Sequence, residues 1–496
     1  MDTMTPPDAQ RSREPAITSS SAKKAEVQQT YQAPQSHRRD GLAITRSPFA
    51  PHPVRRWMHR VGFPAAAVVF VVANVAIITA LWLNHGGLPH RASAANVYLA
   101  LGQLTALYGT FAALVQVLLM ARVPWLDRRF GMDRLAKWHK WTGFSLAWTL
   151  LAHVIFSTMG WAIGDGKGNI GEFLSLNATE NTVLLATIGF VLLAVVAFSS
   201  VRIARRKLSY ELWFWVHLLA YVMLVVSFPH IVVLGSDFDH HKWNTRYWVV
   251  LYALMVGAVV VHRLGGPMRN FLRHSFQVGG VTNEAEGVAS LHITGKRLDR
   301  LHIGAGQFVI VRFLSRGWWF KAHPFSVSGV RPGSLRLTVK DLGNDSGRIS
   351  RLHVGTRVIV EGPYGAFTQS ARSKKRVFLI AGGIGITPIR ALFEQLHGGP
   401  GDVTLLYRAP AEDHLLFRDE LDTIAAIRGF DVHYVCGSRH QHDAVFDPEN
   451  LERIAPGLTE RDVYICGPTD MVHAAKRGLR DAGVKANRIH HEDFAL

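Results

Sequence analysis

Apolar positions follow two regimes along the chain. From about residue 61 to residue 264 they form six long runs, at about 61–84, 95–120, 137–159, 180–201, 211–234 and 246–264. Each has the roughly 20 predominantly apolar residues that a helix needs to cross hydrocarbon. Beyond residue 275 the period shortens. SLHITGKRL, GQFVIVRF, SLRLTVKDL and TRVIVEGPYG alternate apolar and polar residues between Gly and Pro breaks, which predicts a small antiparallel β-barrel over 271–370. From 376 onward KRVFLI, DVTLLY, DVHYVC and DVYICG are short buried strands between helical stretches such as PIRALFEQL and MVHAAKRGLRDAG. That order predicts an α/β domain with a parallel sheet over 371–496. The chain thus divides into a tail (1–50), a six-span membrane domain (51–270) and two globular domains. The tail, rich in Ser, Pro, Gln, Ala and charges, has no period and reads as disordered. The first apolar run starts about sixty residues in, so no cleavable signal peptide is expected.

Charge and composition refine this picture. A net charge of +18 on 496 residues raises the question of nucleic acid, but much of the excess lies in short loops between apolar runs, where it is a topology signal. Sixteen Lys and Arg residues fall on one set of loops and segments and four on the other. The positive-inside rule therefore places both termini in the cytoplasm, in a plasma (inner) membrane. Trp161, Trp243 and Trp248 lie near the outer boundary and Trp57, Trp138 and Trp141 near the inner one. The two cysteines, Cys436 and Cys466, fit a reducing compartment without a disulfide framework. No C-x-x-C-H occurs, so any haem would be held non-covalently.

Four histidines stand inside the apolar runs. The third run carries His139 and His153, fourteen residues apart; the fifth carries His217 and His230, thirteen apart. At about 1.5 Å per residue these spacings are roughly 21 and 19.5 Å along the helix axes. Both runs cross from inside to outside, so His139 and His217 share an inner level and His153 and His230 an outer one. Two imidazoles from facing helices can supply both axial ligands of a haem iron, and here two such pairs are stacked. At about 100° per residue a spacing of fourteen returns within about 40° of the same face, whereas thirteen misses by roughly 140°. The reading therefore requires the helix to be re-aimed at Pro229. The plainer alternative, isolated polar rings at packed interfaces, leaves each ring with its own burial cost. His240 and His241 in the outer loop SDFDHHKWN are a solvated face or a weaker metal or acceptor site.

The first strand of the α/β region runs into AGGIGITPIRAL. Gly382, Gly383 and Gly385 allow a tight turn close to a pyrophosphate, Thr387 offers a hydroxyl, and Pro388 suits the first turn of a helix facing anionic oxygens. The G-x-G-x-x-G fingerprint is not matched, and a glycine turn alone is often only structural.

HPFSVSG (323–329), VKDLGNDSGRISRL (339–352), VEGPYGAF (360–367), AGGIGITP (381–388), YICGPTDM (464–471) and the near-terminal IHHEDF resemble, in order, the ferredoxin-NADP reductase type flavoprotein module. The six runs and histidine pairs resemble the ferric reductase and NADPH oxidase transmembrane superfamily, in which that module follows a two-haem membrane domain. The resemblance covers nearly everything from about 60 to 496. It implies that His323, Pro324, Phe325 and Ser326 line the isoalloxazine of FAD, with Ser326 near its reactive edge. It implies that Gly343 and Ser346 touch the flavin pyrophosphate, and that Gly362, Pro363 and Gly365 join the two lobes. Gly383, Gly385 and Thr387 match the nicotinamide-nucleotide pyrophosphate loop. Cys466, Gly467 and Pro468 match the stretch beside the nicotinamide, and Phe494 the terminal aromatic over the flavin, although Ala495 and Leu496 follow it. The plainer alternatives are core aromatics for Phe325 and Phe494 and a small buried hydrophobe for Cys466. Arg408 and Arg439 follow strands, where a guanidinium meets a nucleotide phosphate or is only a surface charge; Arg439 resembles the position reading the extra phosphate of NADPH.

The expected function is electron transfer from cytoplasmic NADPH or NADH through FAD and two b-type haems to an extracytoplasmic small-molecule acceptor. Ferric iron or a ferric chelate is the first expectation, oxygen reduced to superoxide the alternative, and an external redox protein a third. The reading of another class, a nucleotide-regulated six-span transporter or sensor, leaves the histidine pairs unexplained.

Overall fold

The computed structural model describes residues 18–19, 53–84, 87–88, 93–235, 242–341, 343, 346–349, 351–437 and 443–492. Most of the tail, His240, His241, Arg439 and Phe494 lie outside the described residues. The chain divides into two compact units, one of residues 36–123 and 134–263, the other holding 124–133 and 264–496.

The first unit is helical. Six helices are long and apolar enough to cross a membrane: Ala67–Asn84, Ala94–Leu119, Arg134–Asp165, Asn181–Ser200, Glu211–Leu234 and Trp243–His274, the last of which runs on into the second unit. They define a multi-pass membrane protein, and each coincides with one of the six apolar runs. Val68, Val69, Phe198, Val225 and Leu254 are exposed on their outer faces, as expected where lipid replaces water. The third helix extends to Asp165, six residues beyond the apolar run, because helix geometry continues after hydrophobicity ends. The sixth passes through a π-helical stretch, Val259–Gly265, into Gly266–His274. A further helix, Asn169–Thr179, has no counterpart in the apolar pattern, since it is short and mixed. Its buried Glu172 pairs with Lys167 at 3.0 Å.

The second unit holds two sheets. In chain order the strands are β1 Thr18–Ser19, β2 Gln277–Ala285, β3 Val288–Thr294, β4 Phe308–Phe313, β5 His323–Arg331, β6 Ser334–Lys340 and β7 Val358–Tyr364. Then follow β8 Arg376–Gly382, β9 Val403–Ala409, β10 Asp431–Cys436, β11 Arg461–Cys466 and β12 Ile489–Glu492. The antiparallel sheet has the order β2-β3-β6-β5-β4-β7. A bridge between Gln277 and Arg357 and the Val278 N–H donating to the Thr356 carbonyl at 2.9 Å bring its two edges together. Its alternating inward residues, among them Val309, Val311, Leu335, Leu337 and Val360, form one core.

The second sheet has the order β1-β10-β9-β8-β11-β12, parallel except for β1. Its central strands are buried on both faces, which is why they read as continuous apolar runs. The chain leaves β8 for β9 on one side and returns to β11 on the other, so the crevice beyond the ends of β8 and β11 is a topological switch point.

Charge clamps the two lobes together. Arg336 on β6 grips Glu420 through two hydrogen bonds of 2.6 and 2.8 Å, and Arg390 reaches the same carboxylate at 2.8 Å. Arg390 also donates to the Ser328 carbonyl of β5 at 3.0 Å. Burial pushes the Glu420 carboxyl up, but Arg336 and Arg390 more than reverse this and bring it to about 2. A value depressed below the ordinary 4.5 makes the clamp complete above that pH and weakens it as pH falls toward 2. We therefore expect Glu420→Gln at pH 7 to speed amide hydrogen exchange in Arg418–Arg428, and wild type to lose this protection only below about pH 4. Equal protection in the variant and wild type at pH 7 would show that the clamp does not hold the lobes.

Candidate functional site

The helical unit brings together all four sequence-predicted histidines. The rings of His139 and His217 have centres 6.0 Å apart and planes at 58°; those of His153 and His230 are 6.2 Å apart at 61°. The expected 140° miss is absorbed in the helix Tyr210–Leu234, which contains Pro229 and stays continuous. Two imidazoles ligating one metal from opposite sides, with bonds of about 2 Å, place their centres roughly 6 Å apart. The backbones of spans three and five make little direct contact, whereas spans four and five pack closely.

Neighbouring groups select the ring tautomers. The His139 Nδ1–H donates to the Gln116 carbonyl at 3.1 Å, and that of His153 to the Gly102 carbonyl at 2.9 Å, with Ser157 Oγ at 3.3 Å from the same nitrogen. Ser200 Oγ lies 3.3 Å from His217 Nδ1. Such bonds leave the Nε2 lone pair available, as a ligand requires. The Gln116 amide donates to His139 Nε2 at 3.2 Å, so this flexible side chain would have to turn aside for that nitrogen to bind a metal. Gly102 permits the approach of spans two and three, since a Cβ there would lie 2.4 Å from Ser157 Oγ. Among the described residues no three His, Cys, Asp or Glu side chains gather to hold a metal ion. Each level offers two protein nitrogens, and the donor set fits a macrocycle supplying the rest, as haem does.

In the antiparallel sheet, β5 carries His323, Pro324, Phe325 and Ser326 opposite Val311, Ile310, Val309 and Phe308 of β4. The His323 and Phe325 rings stack 6.0 Å apart with planes 7° from parallel. Ser326 is 5% exposed and its Oγ has no hydrogen-bond partner among the described residues, the state of a hydroxyl placed to serve a bound polar ring edge. Gly343 and Ser346 come together around Asp341. The Gly343 N–H donates to Asp341 Oδ1 at 3.0 Å, and Ser346 Oγ is 3.5 Å from the same oxygen. Ser346 also lines a cavity of about 370 Å³ shared with Asn283, Glu286 and Asp341. Gly362, Pro363 and Gly365 follow at the end of β7. The Gly365 N–H donates at 2.9 Å to Asp127, which is 1% exposed on the short helix Pro124–Phe130.

The parallel sheet places the remaining motifs at its switch point. Gly383 and Gly385 form a single turn between β8 and the helix Ile386–Gln395, and Thr387 Oγ1 donates to the Ile384 carbonyl at 3.0 Å. A Cβ on Gly385 would lie 2.3 Å from the Cys466 carbonyl oxygen, so only glycine lets this turn meet the end of β11. Gly467 and Pro468 continue from buried Cys466 into the helix Thr469–Asp481. Register sets Cys466 beside Ala381 on one side and Glu492 on the other, and Arg408 beside Gly382. Glu492, whose Oε1 would lie 3.2 Å from a Cβ on Gly365, had only the near-terminal motif to signal it. Asp127, Gln116 and Ser200 had no signal, because their partners lie on other elements of the chain; Ser157, one turn after His153, had only that i, i+4 spacing.

Family models match in three consecutive blocks: a ferric reductase like transmembrane component over residues 105–228, an FAD-binding domain over 281–368 and an oxidoreductase NAD-binding domain over 379–477. The chain thus carries the two domain types of a flavin- and nicotinamide-nucleotide-binding module. More particularly, a segment similar to a ferric reductase like transmembrane component is followed in the same chain by the FAD-binding and NAD-binding domains. It is similar to the glycine betaine monooxygenase reductase subunit of Chromohalobacter salexigens, 29% identical over 241 residues, covering 45% of this chain and 64% of that one. It is also similar to the ferredoxin reductase component of 3-ketosteroid-9-alpha-monooxygenase of Mycolicibacterium smegmatis, 31% identical over 232 residues, 44% and 64% of the two chains. The match thus spans less than two thirds of either relative. Among solved structures, the flavohem-like FAD/NAD binding domain of nitric oxide dioxygenase from Vibrio cholerae O1 biovar El Tor is 22% identical, with a TM-score of 0.38, covering 45% of this chain and 98% of that one.

Gly385→Val should raise the KM for NAD(P)H about tenfold or more, the scale of an overpacked close contact, while bound flavin per chain stays unchanged. Equal KM values would remove this turn from the nucleotide site.

Proposed function

We propose that this protein carries electrons from cytoplasmic NAD(P)H across the membrane to an extracytoplasmic acceptor, ferric iron or a ferric chelate. The observation that carries this reading is the pair of histidine levels, with ring centres 6.0 and 6.2 Å apart, in a chain that also holds FAD- and NAD-binding domains. His139 with His217, and His153 with His230, would each hold one non-covalent b-type haem. His323, Pro324, Phe325 and Ser326, on an antiparallel sheet read as a barrel, would line the flavin. Gly343 and Ser346 would serve its pyrophosphate, and Gly362 and Gly365 the junction between lobes.

The nucleotide is assigned to Gly383, Gly385, Thr387, Arg408, Gly467 and Pro468, with Arg439 toward the extra phosphate of NADPH. Cys466 would stand beside the nicotinamide and Phe494 over the flavin. When bound, the flavin accepts a two-electron hydride and the haems move single electrons. The residues do the rest: Ser326 offers a hydroxyl to the flavin edge, and the Gly385 turn seats the nucleotide against Cys466. The four imidazoles present neutral Nε2 nitrogens at two depths. The excess of Lys and Arg on one set of loops supports a cytoplasmic position for both termini.

Anaerobic spectroscopy of purified protein, titrated with NADPH or NADH and then pulsed with ferric chelate or oxygen, tests the reading. A haem Soret band that reduces with NAD(P)H and reoxidises with chelate is the expected result. Reoxidation only by oxygen, with superoxide released, would make the protein an oxidase instead. His153→Ala should halve haem content and stop reduction of an external acceptor while flavin reduction persists. Unchanged haem content and transmembrane electron flow in that variant would remove His153 as a ligand.

A further inference from the structure

The four histidines are not equivalent in what lies behind them. His139 and His153 point Nδ1 at backbone carbonyls, at 3.1 and 2.9 Å. His217 has Ser200 Oγ at 3.3 Å, and the Ser200 hydroxyl donates to the Val196 carbonyl at 2.7 Å. Its oxygen is therefore turned to accept from His217. His230 differs. Its Nδ1 is buried and has no hydrogen-bond partner among the described residues.

The packing of spans four and five explains why. They run antiparallel, with Ser200 against His217 and Gly189 against Ser227. Continuing that register by one more turn sets Ala186 opposite His230. By that register span four offers an alanine at the outer level where it offers a serine at the inner one. The inner pair is anchored on both rings and the outer pair on one.

An imidazole whose Nδ1–H donates to an acceptor gains basicity and stabilises the oxidised metal, which lowers the reduction potential. We infer that His230, left unanchored in span five at the level of Ala186, is the ligand that raises the potential of the outer site above the inner one, so that electrons move outward downhill. The step balances as one electron: the inner site is oxidised and the outer reduced, with no proton required. This inference rests on the two-haem reading above.

The test is an equilibrium redox titration of the full-length holoprotein, followed by haem absorbance. Two one-electron waves are expected, and His153→Ala should abolish the higher one. Ala186→Ser, which offers His230 an acceptor, should move the higher wave down toward the lower. Ser200→Ala, which removes the acceptor of His217, should move the lower wave up. Two haems per chain should remain in both of these variants. Loss of the lower wave in His153→Ala, or both waves unmoved in Ala186→Ser and Ser200→Ala, would overturn the inference while leaving the two-haem reading intact. A holoprotein preparation without any haem band would instead overturn that reading, and this inference with it.

Discussion

A histidine ring inside an apolar bundle must satisfy two nitrogens, and water is not there to do it. That constraint organises the helical unit. Span two gives up its Gly102 and Gln116 carbonyls to the rings of span three, and span four gives Ser200 to span five. The paired rings stand with their centres 6.0 and 6.2 Å apart, a separation that two imidazoles on one metal would also have. Spans three and five therefore meet through their rings and not through their backbones.

In the second unit the equivalent constraint is backbone access. Gly385 and Gly467 strip side chains from two strand ends so that a loop and a helix start can converge at the switch point. Charge then fixes the lobes around that crevice. Glu420 holds two guanidiniums from different elements, and Asp127, far upstream, is bonded to the Gly365 N–H. A helix of seven residues between two spans thereby becomes part of the reductase unit.

Local pattern carried much of this. Apolar run length gave six spans, because a bilayer sets a minimum length that few soluble segments meet. Strand after strand from SLHIT to DVYIC matched, because alternation and continuous apolarity report one-sided and two-sided burial directly. The motifs HPFS, AGGIGIT and CGP stood out because they set small or conformationally special residues at close spacing.

The pairing of His153 with His230 was not settled by spacing, since a straight helix puts thirteen residues on the wrong face; the tertiary arrangement, in which both rings meet their partners, decided it. Nor did any local signal announce Ser200 behind His217 or Asp127 behind Gly365, and the near-terminal motif did not by itself set Glu492 beside Cys466. By itself, then, the sequence determined the elements, their order and the donor atoms available, all of which depend on near neighbours in the chain. Only the tertiary structure decided which donors meet and what stands behind each, because hydrogen bonds between distant segments follow from helix register and sheet order and leave no periodic trace along the chain.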